Sequence, residues 1–178
     1  MIITSKVQMT ILPRISFALL VFLLSFNLKA ETYLEPEDFI KNEFNGELPK
    51  SSKIWIKGEV KEGFRKIMNR KGRKLMKYWT DGKKTVWILE EIGKARPITT
   101  GYVVQNKQIT KVRVLIFRET HGYEVRHPTY TSQFEGATLK SMTKLDRDID
   151  GISGATLSHW ALEKMAKLAL FLDSVVMD

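Results

Sequence analysis

The chain has 178 residues, a formal charge of +9, three histidines and no cysteine, and its residues 31–178 are enough for one domain with a real core and too little for two. Without cysteine there is no disulfide framework, cysteine-ligated zinc, iron–sulfur cluster, lipid-modified cysteine or c-type haem attachment. His121, His127 and His159 lack the spacings of metal ligands such as i, i+4, so no metal site is expected, and any redox chemistry must come from an organic cofactor. The basic excess is mild and scattered, and no nucleic-acid partner is expected from it.

Residues 1–30 read as an export signal. They carry Lys6, Arg14 and Lys29 and no acidic residue, an apolar run follows Arg14, and Leu28-Lys29-Ala30 offers a small residue before a cut. This places the mature start at Glu31, in the periplasm or another extracytoplasmic compartment. The alternative is an uncleaved membrane anchor, for which the apolar stretch is short, since a spanning helix needs about 20 such residues. Residues 31–178 then form a single domain.

A proline and two acids open residues 36–44, and Phe39, Ile40 and Phe44 fall on one face, which predicts a short helix. A brief strand over 52–56 and a helix over 58–68 follow, the latter with Val60, Phe64, Ile67 and Met68 at helical spacing. The basic run Asn69-Arg70-Lys71-Gly72-Arg73-Lys74 is read either as a solvated turn or as an attractor of phosphates or an anionic lipid surface. Strands over 75–79 and 85–90 flank an Asp-Gly turn, and strands over 99–104 and 109–119 are joined across Asn106-Lys107. From Thr120 to Gly151 the chain is expected to be irregular and polar, the kind of segment that carries sites on a rigid scaffold. The last element is a helix from Ser158 to about Val175, with Leu162, Met165, Leu168, Ala169 and Leu172 inward and Glu163 and Lys167 paired outside. The expected fold class is α+β, an antiparallel sheet with flanking helices.

The informative stretch is Asp150-Gly151-Ile152-Ser153-Gly154-Ala155-Thr156-Leu157-Ser158, between the polar loop and the terminal helix. A helix start offers unpaired N–H groups and the positive end of the macrodipole, so a phosphate held there is stabilised. Gly154 and Ala155 leave the Thr156 hydroxyl open, and Ser153 and Ser158 add hydroxyl donors. Spacing alone favours a plainer role, with Thr156 or Ser158 as the helix N-cap.

The segment resembles the flavinylation motif of the FMN-binding domain family: an Asp, a Ser or Thr, Gly-Ala-Thr, then a further Ser or Thr. Asp150, Ser153, Gly154-Ala155-Thr156 and Ser158 fill these positions. The family includes subunits of the sodium-pumping NADH:quinone reductase and of the related ion-translocating ferredoxin reductase. In it FMN is joined through its phosphate to the motif threonine, which the resemblance carries to Thr156. It also implies a dedicated flavin transferase as partner, with FAD as donor and Mg²⁺ in that enzyme's own site. Arg118-Glu119-Thr120-His121-Gly122 resembles a second family segment near the bound flavin, so Glu119 and Thr120 are expected flavin contacts, the alternative being that they simply end an edge strand. Where relatives usually have Pro after the Thr, this chain has His121.

Glu135-Gly136-Ala137-Thr138-Leu139 repeats Gly-Ala-Thr-Leu with a carboxylate in place of Ser153. That charge repels an incoming phosphate, so Thr138 is expected to stay unmodified. Trp79, Trp87, Tyr78 and Tyr123 are available as a wall for the isoalloxazine, and Trp79, at a hairpin end, is singled out. The leading expectation is a non-enzymatic electron carrier with FMN on Thr156, relaying electrons from a membrane-bound redox partner to an extracytoplasmic acceptor. Two alternatives stay open: a flavin-dependent reductase with His121, Glu119 and Arg126 as proton donors, and a cofactor-free interaction module of the same fold.

Overall fold

The computed structural model describes residues 30–177; the expected export signal lies almost wholly outside them. Six strands form one antiparallel sheet in the order β1-β6-β5-β4-β3-β2: β1 (Glu31–Thr32), β2 (Ser52–Trp55), β3 (Leu75–Thr80), β4 (Lys84–Ile92), β5 (Pro97–Gln105) and β6 (Gln108–Phe117). The helices are α1 (Pro36–Glu43), α2 (Gly58–Met68), the single turn α3 (Pro128–Thr131) and the long α4 (Thr156–Met177). This is the α+β architecture that the patterning predicts.

The alternating residues of the central strands bury both faces of the sheet. On one face α1 sets Phe39 and Ile40 against Val86, Val103 and Leu115. On the other, α2 and α4 cover a larger core containing Trp87, Leu89, Tyr102, Val112 and Val114. Phe39 reaches the sheet because β5 has Gly101 beneath it, where an added Cβ would lie 2.4 Å from the Phe39 ring. The inward stripe of α4 is as patterned: Leu162, Met165, Leu168, Ala169 and Leu172 are all buried.

Two buried polar links fix α4 against the sheet. The Tyr102 hydroxyl donates to the Leu162 carbonyl at 2.8 Å, and burial holds the Tyr102 phenol well above its ordinary pKa, so it remains a donor. Near the far end of the helix, Thr85 donates to Asp173 at 2.5 Å and itself accepts from the Trp87 indole at 2.8 Å. Glu163 and Lys167 pair at 3.3 Å, in a partly covered setting rather than on an open face.

The hairpins follow their turn residues. Between β3 and β4 the Asp81 carboxylate accepts from the Lys83 and Lys84 amides at 2.9 and 3.0 Å, with Gly82 at φ 84°. Between β5 and β6, Asn106 and Lys107 both take positive φ, 54° and 59°, as a tight two-residue turn demands. Two expectations need correction. Strand β1 was not foreseen, because two residues carry no periodicity; it is defined only by pairing with Ile116 and Phe117. The stretch 120–151 is not structureless: it holds two 3₁₀ turns (Tyr123–Arg126 and Ser132–Phe134), α3, and a small ladder of β7 (Leu139–Ser141) with β8 (Lys144–Leu145). It buries Val125, Tyr130, Phe134, Ala137 and Leu145 against the core, apolar residues too widely spaced to show a period.

Candidate functional site

The helix α4 begins at Thr156, two residues earlier than its periodicity indicates. A turn just before it, closed by Ala155 N–H to the Ile152 carbonyl at 2.9 Å, aims the chain into the helix, and Gly154 takes the left-handed conformation at φ 80° that this turn needs. The Ala155 carbonyl accepts the first helical bond, from His159 N–H at 2.9 Å. The cap position is therefore Ala155, which has no side-chain acceptor, so neither Thr156 nor Ser158 is the N-cap. The amides of Thr156, Leu157 and Ser158 have no hydrogen-bond partner among the described residues. These orphan donors and the helix dipole favour an anion at this point. Thr156 is exposed beside them, and a Cβ built at Gly154 would meet nothing within 4 Å. Approach to its hydroxyl is open.

Ser158 turns the other way. It is 3% exposed, and its Oγ lies where it would be 3.2 Å from a Cβ on Gly93 and 3.0 Å from one on Gly122. The Gly93 position is also 3.0 Å from Glu119 Oε1, and the Gly122 position 3.2 Å from the Ala155 Cβ. Two glycines thus let the β4–β5 turn and the loop after β6 close onto the first turn of α4. A side chain at either position would push the helix start away, and at Gly122 (φ 78°) it would be strained as well. Gly93 is a site residue that the sequence reading missed; its only signal is a glycine immediately after a strand.

Glu119 is half-buried and braces the same junction: its Oε1 accepts from the Ala95 and Arg96 amides at 2.7 and 2.8 Å. Thr120 is exposed, with its hydroxyl 2.9 Å from His121 Nδ1. Arg126 is tied to Glu31 at 3.2 Å and to the Tyr33 hydroxyl, and its guanidinium covers the Tyr33 and Tyr123 rings at 4.6 and 5.4 Å. The Tyr130 hydroxyl meets His159 Nδ1 at 2.7 Å, where burial, with the Glu163 charge adding to it, raises the phenol's pKa. Asp150 and Ser153 are exposed, and the Asp150 amide is held by Gln133 Oε1 at 2.8 Å.

The structure brings Ser153, Gly154, Ala155, Thr156, Leu157, Ser158, Glu119 and Thr120 to one end of the sheet, while Asp150 is held by Gln133, in the segment that meets Gln108 and Ile109 at the start of β6. Trp79 is not among them. It packs on the α1 face and pairs with Val86, about 20 Å of extended strand from Gly93. There the ladder between β3 and β4 stops after Trp79–Val86 and Thr80–Thr85, and a cleft of about 470 Å³ opens between residues 75–79 and 88–90. Arg70 crosses its edge, donating to Glu91 at 2.9 Å and to the Glu90 carbonyl at 3.3 Å, while Arg73 pairs with Glu90 at 3.3 Å. Part of the basic run is therefore committed to the end of β4 that β3 leaves unpaired. No residue of the helix start lines this cleft.

Beside Thr156 on the helix are the exposed Leu157 (42%) and Trp160 (52%), and the exposed Tyr123 (49%) follows Gly122, which approaches Ala155. Trp160 also escaped the sequence reading, although its position four residues after Thr156 is the signal for a shared helix face. An exposed hydroxyl, free amides with open space before them, and exposed apolar rings suit a phosphate joined to a flat heteroaromatic. Thr138 offers nothing similar: it is half-buried ahead of the β7–β8 ladder, and its amide is held by Asp146 Oδ1 at 3.1 Å. No curated protein and no solved structure matches the chain. A family model, described as FMN-binding domain, matches residues 93–170, a span that opens at Gly93 and includes Glu119, Gly122 and Thr156. Over residues 93–170 this chain is similar to the FMN-binding domain family.

Proposed function

We propose that the protein is an exported electron carrier that holds FMN covalently, by a phosphoester on Thr156. The observation that carries this reading is the exposed Thr156 hydroxyl at a helix start whose cap is alanine and whose first amides are free. Attachment by a flavin transferase forms the Thr156 Oγ–phosphorus bond, breaks the pyrophosphate of FAD, releases AMP and frees the hydroxyl proton. The amides of Leu157 and Ser158 and the positive end of α4 hold the phosphate charge. Bound flavin supplies the electron storage that this cysteine-free chain lacks. Covalent attachment suits an extracytoplasmic site, where lost cofactor is not replaced. Electrons then pass from a membrane-bound partner to an acceptor outside the cytoplasm. Export rests on the pattern of residues 1–30, and a mature start at Glu31 would coincide with the first residue of β1.

Coexpression with a flavin transferase tests the reading. Wild type gains the mass of FMN less one water and stays yellow through denaturation and gel filtration, Thr156→Val gains nothing, and Thr138→Val behaves as wild type. Flavin that survives denaturation on Thr156→Val, or a wild type that an active transferase never loads, sinks the proposal.

A further inference from the structure

The side chains of α4 that leave the protein surface at its start are those of Thr156, Leu157 and Trp160. Their neighbours are engaged elsewhere: Ser158 and Ala161 are buried, and His159 meets Tyr130. Residues i and i+4 on a helix have Cβ atoms about 5–6 Å apart. Helical side chains lean toward the amino terminus, so the Trp160 indole lies over the turn that begins with Thr156. Trp160 has no hydrogen bond, ring contact or cation partner among the described residues. Single exposed apolar residues are ordinary. Here, however, Leu157 and Tyr123 are exposed at the same end, and Gly122 sets the Tyr123 segment against Ala155.

We propose that Trp160 is the aromatic wall against which the flavin ring on Thr156 packs, on the outer face of α4 rather than in the cleft beside Trp79. The inference rests on the reading of Thr156 as the attachment site. Trp160 is a positioning residue: it limits the travel of a ring tethered through a flexible polyol chain and covers one of its faces with apolar surface. Tyr123 is a poorer wall, because the Arg126 guanidinium already sits 5.4 Å over its ring.

An indole in contact with a flavin quenches its fluorescence, by giving an electron to the excited ring and taking it back on decay. The test loads wild type, Trp160→Leu, Trp160→Phe and Tyr123→Leu with an active flavin transferase, then reads intact mass and flavin emission. Both Trp160 variants should show the full mass gain with several-fold brighter and longer-lived emission, and Tyr123→Leu should match wild type. Two results overturn the inference while leaving the attachment site intact. One is unchanged emission from fully loaded Trp160→Leu and Trp160→Phe. The other is failure of both to load while their melting is unaltered, which would assign Trp160 to recognition by the transferase. A wild type without the mass gain overturns the Thr156 reading itself, and the inference with it.

Discussion

Thr156 and Thr138 stand in the same local sequence, Gly-Ala-Thr-Leu, and meet opposite surroundings. At Thr156 the amides that follow are free donors at a helix start. At Thr138 the amide is already taken by Asp146, whose carboxyl is held below its ordinary pKa by Arg147 and by the Thr138 amide. Free amides at one threonine and an occupied amide at the other separate a site that can hold an anion from a position that offers it no donor. Asp150 and Ser153 precede this helix start without belonging to the core, since both are exposed. Asp150→Ala and Ser153→Ala should each lower flavin incorporation while changing stability by less than about 0.5 kcal/mol, the usual range for surface positions. Mass spectrometry beside thermal melting checks this. A shift of about 1 kcal/mol or more in stability would place them among helix caps instead.

The elements differ in how much of their position is local. The inward face of α4 follows from a repeat of large apolar residues, but its first residue follows from the Ile152–Ala155 turn and from Gly154 at φ 80°. That is why the periodic pattern begins two residues late. Strand β5 shows the reverse case. Its central Gly101 weakens a strand by itself, yet it is what lets α1 lay Phe39 flat on the sheet, with 2.4 Å between the added Cβ position and that ring. Phe39 is 1% exposed, so it cannot swing aside. Gly101→Val should therefore cost about 1–3 kcal/mol through overpacking, read as a lower urea midpoint at unchanged slope. Flavin attachment in the folded fraction should be unaffected, because α1 lies on the face opposite α4. Unchanged stability would mean that α1 shifts freely on the sheet.

At the scale of the whole molecule, the FMN-binding match and the folding unit are not the same length. The match begins at residue 93, but β4 pairs with β5 at nine positions from Lys84–Gln105 to Ile92–Pro97 and brings Trp87 and Leu89 to the core under α4. Residues 93–178 alone would expose the edge of β5 that β4 covers and the core surface that Trp87, Leu89 and α2 cover, and should show no cooperative thermal transition where residues 31–178 do. A sharp transition in the shorter piece would refute the dependence. Much was legible without coordinates. The seven regular elements from α1 to β6, the turn residues within the hairpins, the inward stripe of α4 and the motif around Thr156 all depend on spacing and side-chain type along a few neighbouring residues. The remainder depended on segments far apart in the chain: the two-residue β1, the packed turns of 120–151, and the gap between β3 and β4 that Arg70 spans. So did the meeting of Gly93, Glu119, Gly122 and Ser158, and the removal of Trp79 to the other end and other face of the sheet. By itself the sequence determined the apolar face of α4 and the motif that carries the Thr156 hydroxyl, because those are properties of neighbouring residues. Only the tertiary structure decided what surrounds that hydroxyl, because contacts between distant segments are chosen by which surfaces pack together.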